Sequence, residues 1–523
     1  MKLSWIFLLL FASCSQFIET VDKNSKNQIQ TTQKAQLVFS HNISGETHPC
    51  GCRQFPLGGL PQVYGLFSKL NKDSELLYVD TGDTFFPSSV IPDTVKSSLT
   101  FQASNLARSL DQLNLKYLTL GDQDFALGID FLNELASKHK FQFLLSNLSN
   151  SKSIQHQKFG YFEKDNLKIY LLGFSHPEVM GKYSYLFLEP EIVMDSLLKE
   201  LYAKGYNPSN SRHRLVVLSH SGIDFDESFA GKYPMIDWII GAHSQSFLRF
   251  SKDVGNTKIV QGLSKNHYIG NITFDLHATK DTDQYFLHEI RDELEKEVNP
   301  NPLREFVNEH KNMMAKFQEK EQEEMVVFKP NKKKNAPIKN YTTCIQCHKE
   351  QGDFWKSTPH SLALLTLINA KEEKNLNCIG CHSHGLNQAD GFKKAKDVIN
   401  GKNFNFSEFY RELKVESQKI PSVRKLSSQE ILNVHKVMDP LLLKHKADNN
   451  HAQVQCLNCH DQSDTHPFKN RSTVTKEERL ESIKTKCLSC HTNDQSVEWY
   501  QGTVLKEDVF LGKLKQMSCP SLK

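Results

Sequence analysis

A strong excess of either charge is missing from this chain: 64 Lys and Arg against 60 Asp and Glu leave a formal net charge of +4 over 523 residues. So weak a field gives no reason to expect nucleic acid as a partner. Long hydrophobic runs are missing as well. The chain opens on Lys2 followed by Trp5-Ile6-Phe7-Leu8-Leu9-Leu10-Phe11-Ala12, an apolar run too short to span a bilayer and ending in small residues. That pattern predicts an export signal over 1–13. Apolar residues make up 38%, slightly low for a globular enzyme, while the length exceeds one ordinary core and predicts two domains with connections.

What is present in unusual amount is one motif. Cys-x-x-Cys-His occurs at Cys344-Cys347-His348, Cys378-Cys381-His382, Cys456-Cys459-His460 and Cys487-Cys490-His491. Random placement of 12 Cys and 22 His predicts roughly 0.01 copies. Each thiol pair is spaced to form thioethers to the two vinyl groups of one haem, and the His that follows is placed to ligate its iron. Four motifs predict four c-type haems. Cys-x-x-Cys pairs also build tetrahedral zinc sites, but zinc does not need a His after every pair. Haem filling the interior in place of Leu or Val suits the low apolar content.

Residues 341–523 carry few strand patterns and predict a mainly α and loop cytochrome c domain in which close haems pass electrons. The second axial position decides between carrier and catalyst. Its candidate ligands are His360, His451, His466, His384, His435 and His445, with surface or linker roles as the alternative. The phrase Trp355-Lys356-Ser357-Thr358-Pro359-His360 resembles the multihaem cytochromes, in which a His after the first motif ligates a different haem. His451 and His466 stand where related cytochromes place distal ligands.

Ala12-Ser13-Cys14 resembles the lipobox of bacterial lipoproteins, which implies lipidation of Cys14 and a membrane anchor. Residues 14–34 are polar and without periodicity, a flexible tether. Export agrees with the haem motifs, since bacterial c-type cytochromes mature outside the cytoplasmic membrane. The expected place is the periplasmic face of a bacterial membrane, with periplasmic or membrane redox partners.

Over 35–277, short apolar runs alternate with helical patterns: Leu37–Phe39, Leu76–Val79, Tyr117–Leu120, Phe141–Leu145, Ile169–Leu172, Leu215–Leu218 and Trp238–Ile240. Buried strands joined by helices predict an α/β domain with ligands at the carboxyl ends of the strands. Those ends carry Asp80-Thr81-Gly82-Asp83, Gly121-Asp122-Gln123-Asp124, Ser219-His220-Ser221-Gly222 and Gly241-Ala242-His243-Ser244-Gln245. Their order resembles the calcineurin-like metallophosphoesterases, most closely the catalytic domain of the bacterial 5'-nucleotidases. The resemblance implies an α-β-β-α sandwich and a two-metal site that activates water against a phosphoryl group. It makes Asp83 the bridging carboxylate, His220 and His243 ligands of one metal, and Asp122 the counterpart of a ligating Asn.

One divalent metal on Asp83, Asp122, His220 and His243 is therefore expected. The other position lacks its ligands. Asn42 replaces an Asp and Ser44 a His in the first motif, Gln245 replaces the last His, and Gln123 stands where the family places its transition-state His. Neutral amides and a hydroxyl are poor replacements for carboxylate and imidazole. The nucleotide-binding C-terminal domain of the family has no counterpart, and haem motifs occupy its place. Cys50-Gly51-Cys52 resembles a subgroup of exported 5'-nucleotidase-like proteins, some with selenocysteine there. These two sulfurs read as redox thiols or soft metal ligands, or as structural partners of each other or of Cys519.

Between the domains, 278–340 predicts a helical linker. Phe286, Ile290 and Leu294 mark one helix, and Leu303, Phe306, Val307, His310, Met314 and Phe317 a second. His310 is either packed there or a haem ligand. Lys332-Lys333-Lys334 is a solvated charge cluster or a dock for an acidic redox partner. Three functions fit these features: an electron-transfer cytochrome, a metal-dependent phosphoesterase with accessory haems, and a redox enzyme in which haems serve Cys50 and Cys52.

Overall fold

The computed structural model describes residues 34–49, 56–324 and 339–520, apart from 73, 389–390, 418–419, 421–422, 461–474, 493–494 and 502–503. Cys14, Cys50, Cys52, the Lys332–Lys334 run and His466 lie outside the described residues.

Two six-stranded sheets stack face to face. The first has the order β12-β11-β1-β2-β3-β4, with β1 Lys34–Ser40, β2 Leu76–Asp80, β3 Leu115–Leu118, β4 Gln142–Phe143, β11 Tyr268–Asp275 and β12 Gln284–Glu289. The second has the order β5-β6-β7-β8-β10-β9, with β5 Gly160–Lys164, β6 Leu167–Ser175, β7 His213–His220, β8 Trp238–Gly241, β9 Lys252–Val254 and β10 Thr257–Val260. The strands β1 to β4, and β6, β7, β8 and β10, are parallel within their sheets, so their carboxyl ends gather on one edge.

Near-continuous apolar strands are what sheets covered on both faces require. Successive side chains point to opposite faces, so one strand feeds two cores. Leu37 and Phe39 of β1 meet Val216 and Leu218 of β7 between the sheets, while Val38 and Leu215 face outward into different clusters. The outer face of the first sheet is covered by α1 (Leu60–Leu70), α2 (Lys96–Gln112) and α3 (Ile129–Lys138) through Val63, Leu106, Leu110 and Leu132. The second is covered by α4 (Pro190–Ala203) and α5 (Ile223–Lys232) through Met194, Leu197 and Phe229. The result is the expected α-β-β-α sandwich.

Two expectations are overturned. Residues 284–289, placed in a helix by the four-residue spacing of Phe286, Ile290 and Leu294, form β12, antiparallel to β11 at the sheet edge. The first sheet therefore extends past residue 277. The cytochrome part is also not filled by haem alone: Leu362, Leu364, Leu365, Ile368, Ile379, Phe409 and Ile431 form an apolar core of its own.

The second helix of the linker is present as α6 (Pro302–Glu324), which joins the two parts. It packs on α1 and α2 and on the helix Leu376–His382 of the second haem motif. Ser98 N donates to Glu321 Oε1 at 2.6 Å on one side, and Leu376 N donates to Gln318 Oε1 at 3.0 Å on the other. His310 is packed here, stacked on Phe101 with ring centroids 5.5 Å apart and accepting from Asn105 Nδ2 at 3.1 Å. Burial pushes its pKa down to about 3, so the imidazole is neutral.

Candidate functional site

The carboxyl ends of β2, β3, β7 and β8 bring Asp83, Asp122, His220 and His243 together, with one donor atom from each lying within 4.8 Å of the others. His220 Nε2 is 3.5 Å from Asp83 Oδ2 and 3.7 Å from Asp122 Oδ1, and His243 Nδ1 is 3.5 Å from Asp122 Oδ1. These separations are too long for hydrogen bonds. Accordingly, Asp122 Oδ1, His220 Nε2 and His243 Nδ1 are buried with no hydrogen-bond partner in the protein. Such atoms are costly unless something else binds them, and a cation in their midst would.

The backbone is bent to suit. Asn42, Ser44, Asp83, His243 and Gln245 all adopt positive φ, between 47° and 65°, an arrangement that recurs at functional sites. Gly121 is required for space: a Cβ there would stand 2.3 Å from Asp83 Oδ1 and 2.6 Å from His220 Nε2. The His220 ring is oriented by its Nδ1–H, which donates to Thr81 O at 2.8 Å and turns Nε2 to the site, as in metal-bound histidines. Burial lowers the pKa of His220, but the charge of Asp83 and the nearby Asp122 carboxylate outweigh it and raise it well above the usual value. For Asp122, burial acts upward, while His220 and His243 win and hold the carboxyl far below the usual range. The site is thus a negative field shaped for a cation.

Asp124 is a scaffold residue that the sequence pattern did not single out. Its carboxylate accepts from the backbone N–H of Asp83, Thr84, Phe85 and Gly121 at 2.7–2.9 Å, tying two loops together. Burial, then the charge of Asp83, raise its pKa to about 7.

The second centre is a cavity of about 1720 Å³ in the C-terminal part, lined by all eight Cys and all four His of the repeated motif. The motifs meet in pairs: Cys344 hydrogen-bonds Cys456, and Cys490 hydrogen-bonds Cys381. His382 Nδ1 donates to Ala363 O at 2.6 Å, and His491 Nδ1 lies 2.8 Å from Ser496 Oγ. Such bonds set the tautomer that presents Nε2 to a metal.

The candidate distal ligands divide. His360 lines the cavity, its ring centroid 6.2 Å from that of His491. These two rings would hold one iron between them. His384 and His451 face each other at 6.4 Å, with His384 Nε2 and His451 Nδ1 buried and without a partner. Protein groups reach the remaining rings, and reach His451 as well, whose Nε2 lies 2.9 Å from Asn449 Nδ2. His435 sits 2.9 Å from Ser361 Oγ and 3.3 Å from Asp439 Oδ1, and His445 Nε2 lies 3.2 Å from Glu412 Oε2.

The two centres adjoin. Gly45, Glu46, Thr47, His48 and Pro49, on the loop that begins at Asn42, form part of the cavity wall. His48 Nε2 lies 2.8 Å from Glu372 Oε1, Lys311 Nζ is 2.5 Å from the same oxygen, and Asn375 Nδ2, at the cap of the second motif's helix, donates to Glu372 Oε2 at 3.0 Å. Burial acts upward on the Glu372 pKa, but the charges of His48 and Lys311 outweigh it and bring it from 4.5 to about 2. A lowered carboxylate pKa contributes stability above the unfolded value that is lost as pH falls through the folded one. Glu372→Gln is therefore expected to lower stability at neutral pH by about 3 kcal/mol, because it strands a partly buried Lys311. Urea unfolding checks this, and the difference from wild type should shrink as pH falls from 4.5 towards 2.

The fold and the two sites define a metallophosphoesterase-type domain joined to a c-type cytochrome domain, the class of protein to which haem belongs. The model of the family "Cytochrome c554 and c-prime" matches residues 343–403. Cytochrome c-554 of Nitrosomonas europaea is 30% identical over 84 residues, covering 13% of this chain and 36% of that protein. The 5'-nucleotidase of Mus musculus is 24% identical over 216 residues, covering 39% of this chain and 35% of the mouse protein. The chain thus spans about a third of the length of the curated relatives it matches. Among solved structures, a 5'-nucleotidase precursor from Thermus thermophilus aligns with a TM-score of 0.45 at 17% identity, covering 56% of this chain and 60% of that one. The chain is a fusion of a cytochrome c554-type segment with a 5'-nucleotidase-like metallophosphoesterase domain. Among the described residues, no helix is long and apolar enough to cross a membrane.

Proposed function

We propose that the protein is an exported c-type cytochrome that carries electrons through four haems, and that its 5'-nucleotidase-like domain holds one divalent cation. The observation that carries this reading is the single cavity shared by all four Cys-x-x-Cys-His motifs, with the thiols of the first and third, and of the second and fourth, in contact. Bound haem supplies a one-electron couple, and haems attached this close together permit electrons to hop between them. The chain's own residues attach, orient and shield: the Cys pairs fix each ring and the motif His holds its iron. His360, on the cavity wall, would supply a second ligand to one iron; His384 and His451, off that wall, and His466, beyond the described residues, are the remaining candidates. His48, Lys311 and Glu372 lock the N-terminal domain against the helix of the second motif.

Cys14 as a lipid attachment site and a periplasmic or membrane redox partner belong to the same reading. Reductive titration of the haem-loaded chain tests it. Reversible uptake of one electron per haem supports the carrier role, whereas a stable ferrous–carbon monoxide adduct at most of the haems would point to catalysis at open iron.

Phosphoester hydrolysis is the weaker reading. The cation cluster favours it, but Asn42, Ser44, Gln123 and Gln245 offer neither a second metal site nor an acid, and a lone cation cannot clamp both attacking and leaving oxygens. The expected rate on bis(p-nitrophenyl) phosphate is indistinguishable from background in the presence of manganese. Thiol redox chemistry is the third reading. It is favoured by the placement of Thr47–Pro49, which lead directly to Cys50 and Cys52, on the wall of the haem cavity.

A further inference from the structure

Asn42 is fully buried beside the bridging-type carboxylate, and its orientation is fixed from several sides. Asn42 N donates to Gly82 O at 2.8 Å, and Asn42 O accepts from Lys265 N at 2.8 Å. His41 Nδ1 lies 2.9 Å from Asn42 Oδ1, and an amide oxygen can only accept, so the imidazole N–H is the donor. With Oδ1 engaged, the amide nitrogen must face the other way. Asn42 Nδ2 donates to Asp83 Oδ2 at 2.9 Å. Asp83 Oδ1 accepts from Gln123 N at 3.0 Å.

A two-metal site needs a carboxylate that offers an oxygen to each cation. Here the approach to Asp83 from the Asn42 side is taken by an N–H donor, which presents partial positive charge to the carboxylate and no lone pair to a metal. Ser44 adds nothing, because its hydroxyl is turned back to Asn42 O at 3.3 Å, and Gln245 is exposed. Two carboxylates, Asp83 and Asp122, balance one divalent ion. The neighbouring Asp124 is occupied by four backbone N–H groups, and Asp80 by the hydroxyls of Ser40 and Thr84 and by Gly82 N.

We infer that the Asn42 amide, oriented by His41, stands in for a second cation and makes this a one-cation site. The inference rests on the reading that Asp83, Asp122, His220 and His243 bind a cation. It adds the reason the number stops at one.

The test uses the full haem-loaded chain, stripped of non-haem metal, loaded with manganese and passed through a desalting column. Manganese per chain is counted by elemental analysis, and its magnetic coupling is read by electron paramagnetic resonance. Wild type should retain one ion with an uncoupled signal. Ser44→His with Gln245→His should still retain one, because Asn42 is untouched. Adding Asn42→Asp to that pair should raise the count to two, with a spin-coupled signal. Two coupled ions in wild type, or two in the double variant, would overturn the role of Asn42 while leaving cation binding intact, and so would a single ion in the triple variant. No manganese in wild type would defeat the cation reading itself, and the inference with it. Where a variant fails to fold, the wild-type count still tests the one-cation site itself, since two coupled ions there would overturn it.

Discussion

Replacing Cys378 and Cys381 together by Ser is expected to remove one of the four proposed haems. The loss is a full cofactor, because without thioethers the ring is held only by its axial ligands and is washed out on denaturation. Pyridine haemochrome absorbance per chain should fall by a quarter, and the mass of the intact chain by one haem. The same pair is the most informative one to remove. Its helix is capped by Asn375, which is tied through Glu372 to His48 and Lys311, and Cys381 touches Cys490 of the fourth motif. Electron distribution among the remaining haems should therefore slow as well, seen as a lag in reduction by a stopped-flow donor.

His220→Ala should abolish cation binding in the N-terminal domain while leaving haem content unchanged. His220 is fully buried, and its Nε2 faces both Asp83 and Asp122. Loss of partners that merely orient a ligand costs about 10- to 100-fold in metal affinity. Loss of the ligand itself should exceed this and leave no metal after desalting. His435→Ala is the matching control, since that ring is bound by Ser361 and Asp439.

Chemistry with fixed local spacing was legible before any fold. The Cys-x-x-Cys-His repeats could be counted, and the seven apolar runs all lie in or overlap strands, because strands buried on both faces read as unbroken hydrophobic stretches. The cation cluster was legible through the strand-end motifs. The β12 segment was misread for a definite reason. Residues four apart lie on one face of a helix, but four is also an even number, so they lie on one face of a strand too. The edge strand Gln284–Glu289 therefore offered the same spacing, although Phe286 is exposed on it and Ile290, buried, lies beyond its end.

Contacts between distant segments were not legible. Nothing in the sequence pairs His48 with Glu372, or gives Asp124 its four backbone donors, since both arise only once the loops are brought together. The direction in which the Asn42 amide points depends on a neighbouring ring, and composition cannot give it. The division of the spare histidines likewise depends on whether Ser361, Asp439 and Glu412 reach them.

The most direct test of the central claim is a potentiometric titration of the purified chain, followed by haem absorbance with the covalent haem content measured on the same sample. The account predicts four haems per chain that take up and release four electrons reversibly. A chain that carries zinc in place of haem, or haems that cannot be cycled between ferric and ferrous without loss, would contradict it.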